Sequence, residues 1–249
     1  MNESHTTAAR ATPTHKPRPL VDLLVSIVLP SLILMKFSGE QDLGAVNALL
    51  LALAFPLGWG LFEQLRYRKT NFIAVLGLVS VLLTGGIGLL QLDPQWLAVK
   101  EAAIPGIIGL AVLLSLRTRY PLIRTLLYNP TVMRVEHIRE RLAERGQEQR
   151  FEARLQTATY LLSGTFFFSA TMNFVLATWI VTSPAGSVAF NEELGRLTLL
   201  SYPMIAIPSM VMMMGILYYL WRTLRDLTGL ELEQMLVAGG TDDAPRERH

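Results

Sequence analysis

Residues 93–116 read DPQWLAVKEAAIPGIIGLAVLLSL, and the number of membrane crossings turns on where a helix starts within them. The uncharged part, 102–116, has 15 residues. At about 1.5 Å per residue it covers ~22 Å, short of the ~30 Å hydrocarbon layer. Asp93-Pro94, however, is a helix-start signal. A carboxylate can cap the first turn, and proline's missing N–H costs nothing at the first helical position. A helix begun at Pro94 has 23 residues, which is ~34 Å and long enough to cross. It carries Lys100 and Glu101 inside.

Outward from this stretch the apolar runs are plainer: 20–35, 43–62 and 71–92 before it, 157–182 and 197–221 after it. The chain is 51% hydrophobic and 17% charged, where soluble domains carry about 25% charge. These features predict an all-α polytopic membrane protein, a bundle of six transmembrane helices. The first run follows a basic flank, as a signal peptide would, but Lys36 rather than a small-residue cleavage site comes after it. The run reads as an uncleaved helix whose Lys36 snorkels to the interface.

Basic residues set the orientation, because cytoplasmic loops hold an excess of Lys and Arg. The tail at 1–19, the loops at 63–70 and 117–156, and the tail at 222–249 hold 19 basic residues; the opposite side holds Lys36, Lys100 and Arg196. That alternation fits six crossings with both termini cytoplasmic. Trp96 and Trp179 fall near the outer boundary, and Tyr120, Tyr160, Tyr218, Tyr219 and Trp221 near the inner one. Residues 1–19, polar and proline-rich, read as a disordered tail.

In the 117–156 loop, Glu136, Glu140, Glu144, Glu148 and Glu152 recur every fourth residue among arginines. Val135, Ile138 and Leu142 lie at helical spacing. This is a charged amphipathic helix, breakable at Gly146, that lies on the lipid surface, extends the fifth crossing or docks a cytoplasmic partner.

Motifs of soluble enzymes are absent. There is no cysteine, which excludes thiolate catalysis and cysteine-held metals. The histidines, His5, His15, His137 and His249, all lie in tails or the charged loop, so no intramembrane histidine site, metal site or catalytic residue is expected. What remains is intramembrane polarity, which is costly and marks function by default. Lys100 sits ~9 Å below the outer boundary, beside Glu101. Asn47, Asn173 and Tyr202 reach similar depth on three other helices. These five either satisfy one another as ordinary helix contacts or line an outward-facing cavity for a polar or anionic ligand. Pro105 leaves the carbonyl of residue 101 without its helical donor, and Pro203 and Pro208 mark the sixth helix as a candidate bend.

Asp93, Trp96 and Lys100, the apolar helix ending in Leu114-Ser115, and Pro121-Leu122-Ile123 form a pattern. With Ala170-x-x-Asn173 and Trp179, it resembles intracellular septation protein A and its larger bacterial membrane relatives, across roughly residues 70–221. The chain departs in its polar N-terminal tail, its charged loop, and Lys100-Glu101-Ala102 where the family tends to have lysine–proline–threonine. The resemblance implies a non-enzymatic inner-membrane protein that supports envelope maintenance or division through partners. A small transporter or channel built on the polar residues is the alternative. The lipid bilayer is the first partner, with envelope or division membrane proteins implied by the resemblance and a homo-oligomer left open. No nucleic-acid partner and no cofactor is expected.

Overall fold

Asp93 caps the helix that decides the count: its Oδ1 accepts the backbone N–H of Gln95 at 2.8 Å, and Pro94 stands in the turn directly before the first helical residue, Gln95. The computed structural model describes residues 24–67, 72–118, 123 and 133–236. The tail at 1–19, Asp22, Asn71, Tyr120, Pro121 and the last residues of the C-terminal tail lie outside these.

In chain order the elements are a π-turn at Leu24–Val28, α1 (Leu29–Lys36), α2 (Ala45–Tyr67), α3 (Phe72–Leu89) and α4 (Gln95–Ser115). Then come α5 (Val135–Glu144), α6 (Glu148–Ile180) and α7 (Val188–Ser201), a second π-turn at Tyr202–Ala206, α8 (Ile207–Thr228) and the short α9 (Leu232–Met235). No strand forms among the described residues; one isolated bridge pairs Met133 with Leu236. All-helical architecture is what a bilayer demands, since it offers no water to an unpaired backbone group.

Among the described residues, four stretches are long and apolar enough to cross a bilayer: Ala45–Phe62 of α2, α4, α6, and the continuous helix Val188–Thr228. The described part of α3 is a shorter apolar helix. The protein is therefore a multi-pass helical membrane protein. Large apolar side chains stay exposed along these helices, among them Leu50, Leu82, Ile107, Phe174 and Met210. They form a surface suited to lipid rather than water. Trp96, Trp179, Tyr160 and Tyr218 are exposed as well, as interfacial aromatics should be.

Two helices start earlier than the apolar runs did. The sixth was expected at 197, yet α7 begins at Val188. Ser187 caps it, its Oγ accepting the N–H of Phe190 at 3.1 Å. Most of the expected 183–196 loop is thus helix, carrying Glu192, Glu193 and Arg196. The fifth was expected at 157, yet α6 begins at Glu148. The charged loop divides at Gly146, whose φ of 62° is left-handed. Its first half is the separate helix α5, and its second half extends α6.

The chain packs as two compact units, Met1–Leu97 with Thr178–Leu200, and Ala98–Ala177 with Ser201–His249. In the first, α1 packs on α2 and α2 on α3. Leu49 of α2 reaches the bare face of Gly88, and Gly195 of α7 lies against the Ser31 carbonyl of α1. In the second, α4 and α6 approach closely. A Cβ on Gly109 would stand 3.0 Å from the Phe166 Cβ, and the Ser163 hydroxyl donates to the Gly109 carbonyl at 2.9 Å.

The second unit also holds a core beyond the apolar spans. Ile138 and Leu142 of α5 join Phe151 and Leu155 of α6, Leu220 and Leu224 of α8, and Leu230 and Met235 of the returning chain. The apolar stripe of α5 therefore packs on protein. Its charged face remains outward, with Arg139 and Glu136 both exposed. The chain turns back at Gly229, left-handed at φ 71°, whose N–H donates to the Arg225 carbonyl at 2.8 Å. The Arg145 guanidinium occupies the space a side chain at 229 would need. The Arg134 N–H then donates to the Met235 carbonyl at 2.8 Å and closes the platform.

The α4–α6 contact gives a matched pair of expectations. A methyl at Gly106 would meet only the Ala170 Cβ at 3.8 Å, an ordinary contact. Gly106→Ala should leave the melting temperature in detergent unchanged or slightly raised. Gly109→Val should destabilise by about 1–3 kcal/mol, the usual cost of overpacking.

Candidate functional site

Lys100 and Glu101 begin the second turn of α4 and make an ion pair, Nζ to Oε1 at 2.7 Å. The Lys100 side chain is 7% exposed and that of Glu101 29%. Adjacent helix positions point about 100° apart, so the pair closes only because the lysine stem is long enough to bend back. Its geometry is asymmetric: the ammonium is enclosed, while the carboxylate keeps a route to solvent or headgroups. Glu101 supplies part of the compensation that a buried cation so placed needs.

Asn173 lies on α6, antiparallel to α4. With Gly109 opposite Phe166 and Gly106 opposite Ala170, the register brings Asn173 level with residues 102–103, about one turn of helix from the pair. Its amide is committed locally, however, donating to the Ser169 carbonyl at 2.8 Å and to the Ser169 hydroxyl at 3.3 Å. Tyr202 opens the π-turn of the last long helix and is 40% exposed. Asn47 belongs to the other unit, is exposed, and donates to the Leu43 carbonyl just ahead of its own helix at 2.8 Å. The structure thus brings Lys100 and Glu101 together and holds Asn173 at their level. Asn47 and Tyr202 present themselves on exposed surface instead.

Pro105 lies within α4, and Pro203 and Pro208 stand in and just after the π-turn Tyr202–Ala206. In that turn the Ile207 N–H reaches back to the Tyr202 carbonyl, five residues earlier. The wider turn is a known accommodation where proline removes an ordinary helical donor. The expected irregularity of the sixth helix takes this form.

Sequence reading missed a second buried polar centre. Asn191 of α7 is fully buried. Its Nδ2 donates to the Ser38 hydroxyl at 3.1 Å and to the Ala45 carbonyl at 2.7 Å. Ser38 in turn donates to the Leu34 carbonyl at 2.8 Å. One amide therefore ties α7 to the α1–α2 connection within the first unit. Nearby, Glu193 gathers the loop that precedes α7. Its carboxylate accepts the backbone N–H groups of Thr182 and Ser183, each at 2.9 Å, and both of their hydroxyls. Asparagine preceded by a capping serine was the only available signal, and the adjacent Glu192 and Glu193 made the stretch read as loop.

No cluster of three or more His, Asp or Glu that could hold a metal occurs among the described residues. His137 stands at the platform, 4.0 Å from Glu140.

Glu101→Gln should lower stability more than Lys100→Met, because it leaves the enclosed ammonium without its carboxylate. The expected cost is about 1–3 kcal/mol, read as a loss of melting temperature in detergent, with the double variant recovering part of it. Asn191→Ala should cost about 1–3 kcal/mol through the Ser38 and Ala45 groups it strands. Equal stability of Asn191→Ala and the parent would mean the α7 tie is not a constraint. No family model, no curated protein and no solved structure matches this chain.

Proposed function

We propose that this chain is a non-enzymatic protein of a bacterial inner membrane that supports envelope maintenance or division, the role its resemblance to septation protein A implies. It crosses six times with both termini in the cytoplasm, the arrangement that the split of 19 basic residues against 3 favours. The observation that carries the reading is the platform of α5, α8, α9 and the start of α6. Its apolar side chains are used up internally, and it turns a dense, mixed-charge face outward. Such a face suits recognition by partners, where charge sets specificity and encounter rate. Envelope and division proteins of the same membrane are the partners that fit this reading.

A small transporter or channel is the second reading, favoured by one observation: the Lys100–Glu101 pair inside an apolar helix. Intramembrane ionisable pairs line substrate paths in many such proteins. Against it stand the local commitments of Asn173 and Asn47.

The deciding measurement is growth and cell shape of a deletion strain at low osmolarity. Filamentation or lysis is expected, rescued by the wild type and not by Arg139→Glu/Arg141→Glu expressed at the same level. Normal shape without the protein would end the envelope reading. Because the chain has no cysteine, Lys100→Cys can be probed against a clean background. Labelling by a hydrophilic maleimide in intact membranes would favour the transport path, and resistance would remove its main support.

A further inference from the structure

A cleft of 390 Å³ opens between α6 and α8, lined by Arg154 of the former and by Tyr219, Arg222, Thr223, Asp226 and Leu227 of the latter. Its volume is within the range of about 300–1,000 Å³ usual for small-ligand sites. Two guanidinium groups face one carboxylate in it. The Arg222–Asp226 ion pair is long, 3.8 Å, and both side chains are well exposed, so it is weak and easily exchanged. The Tyr219 hydroxyl is shielded from water and has no hydrogen-bond partner among the described residues. The cleft therefore offers donors in excess of acceptors.

The height of these groups on the helices identifies the anion's carrier. Arg154 precedes the fifth apolar run by three residues, and Arg222 follows the sixth directly. Both charges stand at one end of the apolar stretches, at headgroup level. On the apolar side of them Tyr160, Leu161, Met214, Leu217 and Tyr218 are exposed on the same two helices. A free anion has no use for that wall, whereas acyl chains do.

We propose that this cleft binds the phosphate of an anionic phospholipid. Arg154 and Arg222 hold the phosphate oxygens in the forked geometry guanidinium favours. Tyr219 donates its free proton, and the acyl chains run along the exposed apolar faces of α6 and α8. The site does not depend on the envelope role proposed above. Asp226 is its tuning residue, since it competes with the phosphate for Arg222.

The test titrates the full chain, purified in detergent, with phosphatidylglycerol or phosphatidylcholine and counts retained lipid by native mass spectrometry. Phosphatidylglycerol should be retained in preference. Arg154→Gln/Arg222→Gln should weaken it by about tenfold or more, in keeping with the attraction each arginine exerts on anionic lipid. Asp226→Asn should tighten it severalfold. Arg139→Gln/Arg141→Gln, an equal loss of charge on α5, should change nothing. An equal loss in that control pair would mean diffuse charge rather than a site and would overturn the proposal. So would equal retention of phosphatidylcholine, and displacement by millimolar inorganic phosphate would overturn it by assigning the cleft to the free ion. Should the double variant aggregate, Asp226→Asn decides alone: unchanged affinity there sinks the idea.

Discussion

Hydrocarbon supplies no hydrogen bonds, so a backbone group freed inside a span must find its partner within the protein. That constraint accounts for much of what is irregular in this chain. Prolines at 30, 56, 105, 203 and 208 each remove a helical donor. Pro203 and Pro208 are absorbed by a π-turn, and a like turn precedes Pro30. Serine and threonine side chains inside the helices turn back to carbonyls three or four residues earlier, as Ser115, Thr165 and Thr198 do. Where Ser163 instead crosses to the Gly109 carbonyl, the same need for satisfaction becomes contact between helices. Small residues at 106 and 109 let the backbones come close enough for that bond.

The second unit joins two kinds of packing. Among the spans, the driving force is close approach and polar satisfaction, because lipid is as apolar as any side chain. In the platform it is burial of Ile138, Leu142, Leu224 and Met235 away from water. α6 and α8 pass from one regime to the other without interruption. Their charged ends are therefore positioned by a conventional core rather than by the bilayer. The arginines around the α6–α8 cleft owe their fixed spacing to this.

Much of the architecture was legible because its signals are local. Asp93-Pro94 announces its helix with two adjacent residues, and the cap forms as read. Long apolar runs, and a charged helix broken at Gly146, follow from periodicity and one left-handed glycine. What was not legible depended on facing. Asn47 and Asn191 are both amides near the ends of apolar runs, and nothing local tells them apart. One donates to a carbonyl four residues back on the surface, while the other is enclosed and ties two elements together. Depth along a helix can be counted from a sequence, but rotation about its axis is set by tertiary contacts. The helix start at Val188 was missed for a related reason, and the one at Glu148 was reached only as one alternative for the charged stretch. A run defined by absence of charge stops at the first Glu, whereas a helix leaving the hydrocarbon can carry charge for further turns.

The turn at Gly229 has a consequence for how this protein can drift. Left-handed turns elsewhere tolerate asparagine in place of glycine, with modest strain. Here the Arg145 guanidinium lies in the volume of the first side-chain carbon. It is the far end of an exposed, flexible side chain and can swing aside, so the lasting cost of a side chain at 229 is its left-handed backbone. The two positions, 84 residues apart in the chain, are thereby loosely coupled. A lineage that exchanges the glycine displaces Arg145 toward solvent, and the route of the returning segment constrains the backbone at 229 more than it constrains the arginine.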